Sequence, residues 1–264
     1  MASAKKTASK VGSQKVWKYG RAPFGVAVIH GGPGAAGEMA PVAQELSTDR
    51  GILEPFQSEV SIQGQICELK DILCEQGSFP VTLIGFSWGA WLSLMVAARY
   101  PAYIKKLILI GSGPYEEKYA AQVQKTRLSR LSKKDKLGFS ALDKRNGPEI
   151  ERLGVLLSKA DAYAPITKEP HTAVFRPDIF QSVWPEAVKA RRSGRLLKCA
   201  KLIKCPVVAI HGDYDPHPAE GVKKPLSRAI RSFRFLLLEN CGHKPWIERW
   251  AKEKFYRILK KEVK

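Results

Sequence analysis

Residues 81–97 set two apolar runs, "VTLIGF" and "AWLSLMVA", on either side of a serine bracketed by glycines, Gly85-Phe86-Ser87-Trp88-Gly89. The first run reads as a buried strand, and the second carries a helix up to Pro101. Glycine lowers the propensity of both elements, so the junction calls for a backbone bent too sharply for larger side chains, with Ser87 at its apex. A turn of this kind presents Ser87 Oγ at the carboxyl end of a strand and at a helix N-terminus, where developing negative charge is favoured.

The same alternation recurs along the chain. "FGVAVIH" (24–30), "GILEPFQ" (51–57) and "IKKLILIG" (104–111) read as strands. "SIQGQICELKDILCEQG" (61–77) puts Ile62, Ile66, Leu69 and Leu73 at helical spacing and stops at Gly77. Residues 113–204 are helical, basic and strand-poor, with "EEKYAAQVQKTRLSRLSKKDKLG" as one helical run. The pattern then resumes with the strand "CPVVAIHG", a helix "GVKKPLSRAIRS", the strand "FRFLLLE" and a last helix "PWIERWAKEKFYRILKKEVK". Strands alternating with helices predict an α/β fold, a mostly parallel central sheet with helices on both faces and a helical cap insertion. The expected units are a flexible basic tail over 1–20, with "KVWKYG" as a short edge strand, a core from 21–112 and 205–264, and a helical cap over 113–204.

At 264 residues, 44% hydrophobic and 26% charged, the chain has the composition of a soluble globular protein that needs no disulfide or metal staple. Five cysteines, an odd count without a CxxC pair, fit a reduced, cytoplasmic chain. The basic N-terminus lacks the apolar centre of a signal peptide, and no segment reaches the roughly 18 apolar residues of a membrane span. A net charge of +19 permits contact with polyanions, but the lysines and arginines are scattered, without a base-reading helix or an RNP-type aromatic pattern. The expected partner is a small-molecule substrate, with neither nucleic acid nor membrane.

A serine attacks well only when a base takes its proton, so Ser87 requires a histidine and a carboxylate. Of five histidines, His171 lies among prolines in the insertion, and His30 and His211 end apolar strands as structural residues. His217 sits in a loop between two prolines. His243, in "ENCGHKPW", follows the last strand and, if the strands are parallel, reaches the same sheet edge as Ser87. It is the expected base. "HGDYDPHP" ends a strand at that edge and offers Asp213 and Asp215, one of them expected to form the turn. An acyl-transfer site also needs two N–H donors for an oxyanion. The N–H of Trp88 supplies one, and Gly32 in "HGGPG" (30–34) is placed to supply the other. This chemistry calls for no cofactor and no metal.

In these motifs, and over nearly all the chain from about Phe24 to the last helix, the sequence resembles the α/β-hydrolase superfamily. "HGGPG" together with "FSWG" is similar to the proline iminopeptidase-like branch. The resemblance implies Ser87 as nucleophile, His243 as base and Asp215, the second aspartate of Gly-Asp-x-Asp, as acid. It makes Gly32 and Trp88 the oxyanion donors. The expected activity is that of a serine hydrolase cleaving a small ester, thioester or amide through an acyl-enzyme. A proline-releasing aminopeptidase and a non-catalytic, ligand-binding relative are the alternatives. Phe175, Phe180 and Trp184 are the apolar candidates for a pocket wall.

Overall fold

The computed structural model describes residues 15–141, 147–166 and 174–264. His171 and most of the expected tail lie outside the described residues. Among the described residues nine strands run in chain order: β1 (Val16–Tyr19), β2 (Val26–Ile29), β3 (Ala35–Ala36), β4 (Ile52–Pro55), β5 (Val81–Phe86), β6 (Ile104–Ile110), β7 (Val174–Phe175), β8 (Val207–Gly212) and β9 (Phe233–Leu238). Seven of them form one sheet in the order β1-β4-β2-β5-β6-β8-β9. All its pairings are parallel except that of β1, which runs antiparallel along β4 at the edge.

Alternate residues of each central strand feed opposite faces. Ala27, Ile29, Leu83, Leu107, Leu109, Val207 and Ala209 join one core cluster, whereas Val26, Val28, Ile84, Ile108, Ile110, Val208 and Ile210 join another. Both sides of these strands are buried, which explains why they read as continuous apolar runs rather than as alternating ones. Helices α2 (Ile62–Gln76) and α3 (Trp88–Arg99) supply the first cluster, and α1 (Ala40–Leu46) supplies the second. The α2 boundaries follow local chemistry: Ser61 Oγ accepts the Gly64 N–H at 3.0 Å, and Gly77 closes the helix.

Between β6 and β8 lie α4 (Glu117–Arg130), α5 (Lys133–Ala141), α6 (Gly147–Asp161), α7 (Pro177–Arg192) and α8 (Arg195–Ala200). The expected single run over 116–138 is therefore broken. Ser132 Oγ accepts the Asp135 N–H at 3.1 Å and starts a new helix there. The strand-poor stretch also contains β7, which pairs antiparallel with β3. α9 (Glu220–Ala229) precedes β9, and α10 (Lys252–Glu262) ends the fold against the second core cluster.

The last helix starts later than its sequence predicts. Residues 245–247 form a 3-10 turn, after which the backbone turns to tertiary partners. Ile166 N–H donates to Ile247 C=O at 2.8 Å, and Arg249 N–H donates to Ala164 C=O at 2.9 Å. The fully buried Glu248 carboxylate accepts N–H groups from Tyr163, Ala164 and Gly242 at 2.9, 2.7 and 3.0 Å. These bonds outweigh helix propensity over 248–251. Among the described residues, all five cysteines are free and no helix is long and apolar enough to cross a membrane.

Candidate active site

The elbow between β5 and α3 has the predicted strain. Ser87 adopts φ +50° and ψ −112°, a region that non-glycine residues rarely enter. Its N–H donates to Ile110 C=O of β6 at 2.9 Å, which fixes the turn against the neighbouring strand end. Glycine at 89 is a steric demand: a Cβ there would fall on the carbonyl oxygens of Ile29 and His30. A Cβ on Gly85 would in turn meet the Gly89 carbonyl. The start of α3 is thereby pressed onto the end of β2, beside the "HGGPG" loop.

The two expected donors belong to the segments that meet there: Trp88 precedes Gly89, and His30 opens the glycine loop that holds Gly32. Trp88 is the first residue of α3, so its N–H has no acceptor within the helix. Gly32 has φ +26° in the loop that leaves β2. Gln57 braces both segments: its Oε1 accepts the Trp88 indole N–H at 2.8 Å, and its Nε2 donates to His30 C=O at 3.1 Å. Gln65 Oε1 accepts the same indole N–H at 3.1 Å.

Geometry separates the two aspartates. Asp213 accepts the Asn240 and Cys241 N–H groups at 3.1 and 3.0 Å and holds the turn. The fully buried Asp215 carboxylate accepts the His243 Nδ1–H at 2.7 Å on Oδ2. An ionised carboxylate can only accept, so the proton sits on Nδ1 and Nε2 is left as the basic nitrogen. His243 lies against the elbow, its ring centroid 4.7 Å from that of Phe86. A Cβ on Gly111, which has φ +50°, would come 2.8 Å from the His243 carbonyl oxygen and 3.0 Å from Nδ1. Asp215 and His243 are thus in direct contact, and Ser87 stands at the adjoining strand end. Phe86, next to Ser87, touches the His243 ring, and among the described residues the Ser87 hydroxyl makes no hydrogen bond to His243.

His217 is the residue that sequence reasoning missed. Its Nδ1–H donates to Asp215 Oδ1 at 2.7 Å, and its main-chain N–H reaches the same oxygen at 2.9 Å. His211 donates from Nε2 to the His217 carbonyl at 2.8 Å. Burial alone would push Asp215 up, but His243, His211 and His217 around it hold its carboxyl well below the usual carboxylate range. Burial brings His217 down from 6.5 to about 4. Donor atoms of Asp215, His217 and His243 lie within 4.8 Å of one another, close enough to face one ion. Their 2.7 Å N–O separations are hydrogen-bond lengths, and shared protons account for them.

The helical segment is bolted to these loops. His243 N–H donates to Asp161 C=O at 2.9 Å, and Arg127 grips the Asp161 carboxylate with two bonds of 2.7 and 2.6 Å. Glu38, beyond the glycine loop, pairs with Lys244 at 2.9 Å. On the far side a row of rings runs Phe175–Phe180–Trp184–Trp91, with the last two stacked 4° from parallel.

A profile of the alpha/beta hydrolase fold matches residues 72–249. VinJ has a similar structure, with a TM-score of 0.69 and 17% identity over 99% of each chain. Proline iminopeptidase of Mycobacterium smegmatis is similar at a TM-score of 0.65 and 16% identity, over 94% of this chain and 93% of that one. A thermophilic esterase from Thermogutta terrifontis gives 0.63 and 17%, over 94% and 92%. In sequence, 96 residues are 24% identical to ethanol acetyltransferase 1 of Cyberlindnera fabianii, covering 36% of this chain and 28% of that protein. The profile spans more than half of the chain, and with the parallel sheet and the elbow it settles the family: the chain belongs to the alpha/beta hydrolase fold family.

Proposed function

We propose that the chain is a serine hydrolase of small esters, thioesters or amides, with Ser87, His243 and Asp215 as its triad. The 2.7 Å bond from His243 Nδ1 to a buried Asp215, formed beside the strained Ser87 elbow, carries the reading. Ser87 Oγ attacks the substrate carbonyl while His243 Nε2 takes its proton. Asp215 holds the reactive tautomer and favours the imidazolium that forms. The oxyanion accepts from the Gly32 and Trp88 N–H groups, each worth about 3 kcal/mol. The intermediate collapses as His243 returns the proton to the leaving group, and water then cleaves the acyl-enzyme. The half-buried rings of Phe175, Phe180 and Trp184 wall the acyl or leaving-group pocket. The cap over 113–204 carries that wall, and the free thiols support a reducing, cytoplasmic setting.

Labelling with a fluorophosphonate probe is expected to modify Ser87 and to vanish in Ser87→Ala. A chain that stays unlabelled, or is labelled elsewhere, refutes the triad and returns the non-catalytic reading. Two variants of the reaction have support of their own. The "HGGPG" and "FSWG" motifs favour release of N-terminal proline, which prolyl arylamides assayed beside short acyl esters distinguish. The match to an ethanol acetyltransferase favours passing the acyl group to an alcohol, which product analysis with ethanol present detects.

A further inference from the structure

We infer that His217 is a positioning residue of the site, a second imidazole that holds Asp215 in place and takes a share of its charge from His243. The inference rests on the triad reading above. Asp215 lies wholly inside the protein, and its two oxygens are divided: Oδ2 serves His243 and Oδ1 serves both N–H groups of His217. The rings of His217 and His243 lie 4.6 Å apart, 36° from parallel, so they flank one carboxylate from the same side. Two N–H bonds on Oδ1 fix the rotamer of Asp215, which in turn fixes the ring of His243.

The donor is suited to its place because it is neutral. A lysine or arginine bonded to Oδ1 would cancel the charge of Asp215 and oppose the imidazolium that must form on His243. Burial keeps His217 uncharged at neutral pH, so it supplies a hydrogen bond without adding a cation. The charged and titratable groups facing it are Asp215 and His243 from the strand-end loops, His211 from β8 and Arg127 from α4. The Arg127 charge is itself matched by Asp161. A bond to Oδ1 takes up part of the Asp215 charge, so His217 acts on His243 through the carboxylate they share.

The test uses the full-length chain and the rate of fluorophosphonate labelling of Ser87 as a function of pH. Asparagine carries its amide N–H where His217 carries Nδ1–H; phenylalanine has the volume but no donor. His217→Phe should slow labelling by up to about 100-fold, the size of a small misplacement of reacting groups. It should also move the acid limb of the labelling profile to higher pH, because the whole Asp215 charge then faces one imidazole instead of two. His217→Asn should restore the rate to within several-fold and return the limb towards the parent. If phenylalanine prevents folding, His217→Ala carries the same expectation. Equal rates and an unmoved limb in all variants would leave His217 a packing residue and overturn the inference. Complete loss of labelling in His217→Asn would make His217 the base itself and overturn it too. A parent chain that is never labelled at Ser87 refutes the underlying triad, and that result is separate from both.

Discussion

The strand-end loops and helices α4 to α6 obey different physical constraints. At the loops, residue identity is dictated by contacts below van der Waals distance. Gly89 has backbone carbonyls where its Cβ would be, and Ser87 holds a strained φ of +50°. In the helices, a Cβ on Gly138 or Gly154 would meet nothing within 4 Å, and α4 buries none of its residues. One region has a single solution and the other has many. Where the two meet, the looser region is tied by Glu248, by Arg127–Asp161 and by the β3–β7 pair. The contrast is one of packing: the loops are held to one backbone geometry, while helices α4 to α6 leave theirs open.

The largest effect tests the loops at their chemical centre. Asp215→Asn should lower turnover on the order of 10⁴-fold, because the imidazole loses its tautomer and its counter-charge. Asp213→Asn should spare turnover and cost about 1–2 kcal/mol of stability, because only turn N–H groups lose a charged acceptor. Parallel kinetics and urea unfolding separate the two, and equal turnover losses would erase the assignment of roles.

Next comes the steric demand. Gly89→Ala should destabilise by about 3 kcal/mol or more, since the carbonyls of Ile29 and His30 cannot both retreat. A small effect in urea unfolding would mean that the elbow yields, contrary to the rigidity argued for it.

Acid exposes the buried imidazole. Between 6.5 and about 4 the unfolded chain binds a proton at His217 that the native chain refuses, so stability falls as pH falls through that window. The loss is about 3 kcal/mol in all, at about 1.4 kcal/mol per pH unit. His217→Asn should flatten the slope, which thermal melts across the window measure. Asp215 acts in the same sense, but at lower pH. Its carboxyl is held low, so its stabilisation persists through this window and is lost only below the ordinary carboxylate range.

The smallest effect belongs to the helices. Gly154→Ala, exposed within α6, should stabilise by about 0.5–1 kcal/mol through helix propensity alone. A loss there would show that the segment is as constrained as the elbow and would end the comparison.

Much of this was legible in the residues. Buried strands announce themselves as apolar β-branched runs, α2 by its spacing and its Ser61 and Gly77 ends, and the elbow by glycines that no other reading needs. The order of Ser87, Asp215 and His243 along one sheet edge follows from β5, β8 and β9 running the same way. Other features were hidden because they depend on residues far apart in the chain. Gly111 is required by its φ of +50° and by the arrival of His243, more than a hundred positions later. The break over 248–251 comes from Tyr163 and Ala164 across the fold. His217 looks like any loop histidine until the turn at Pro216 folds it back onto Asp215.

Local sequence, then, determined the periodicities, the caps and the sharp bend at Ser87, because each is settled by the chain's own near neighbours. Tertiary structure decided that Asp213 is spent on the turn, as against Asp215 on His243, and that His217 shares Asp215. Hydrogen bonds to one buried carboxylate compete for two oxygens, and only the folded backbone determines which donors reach them.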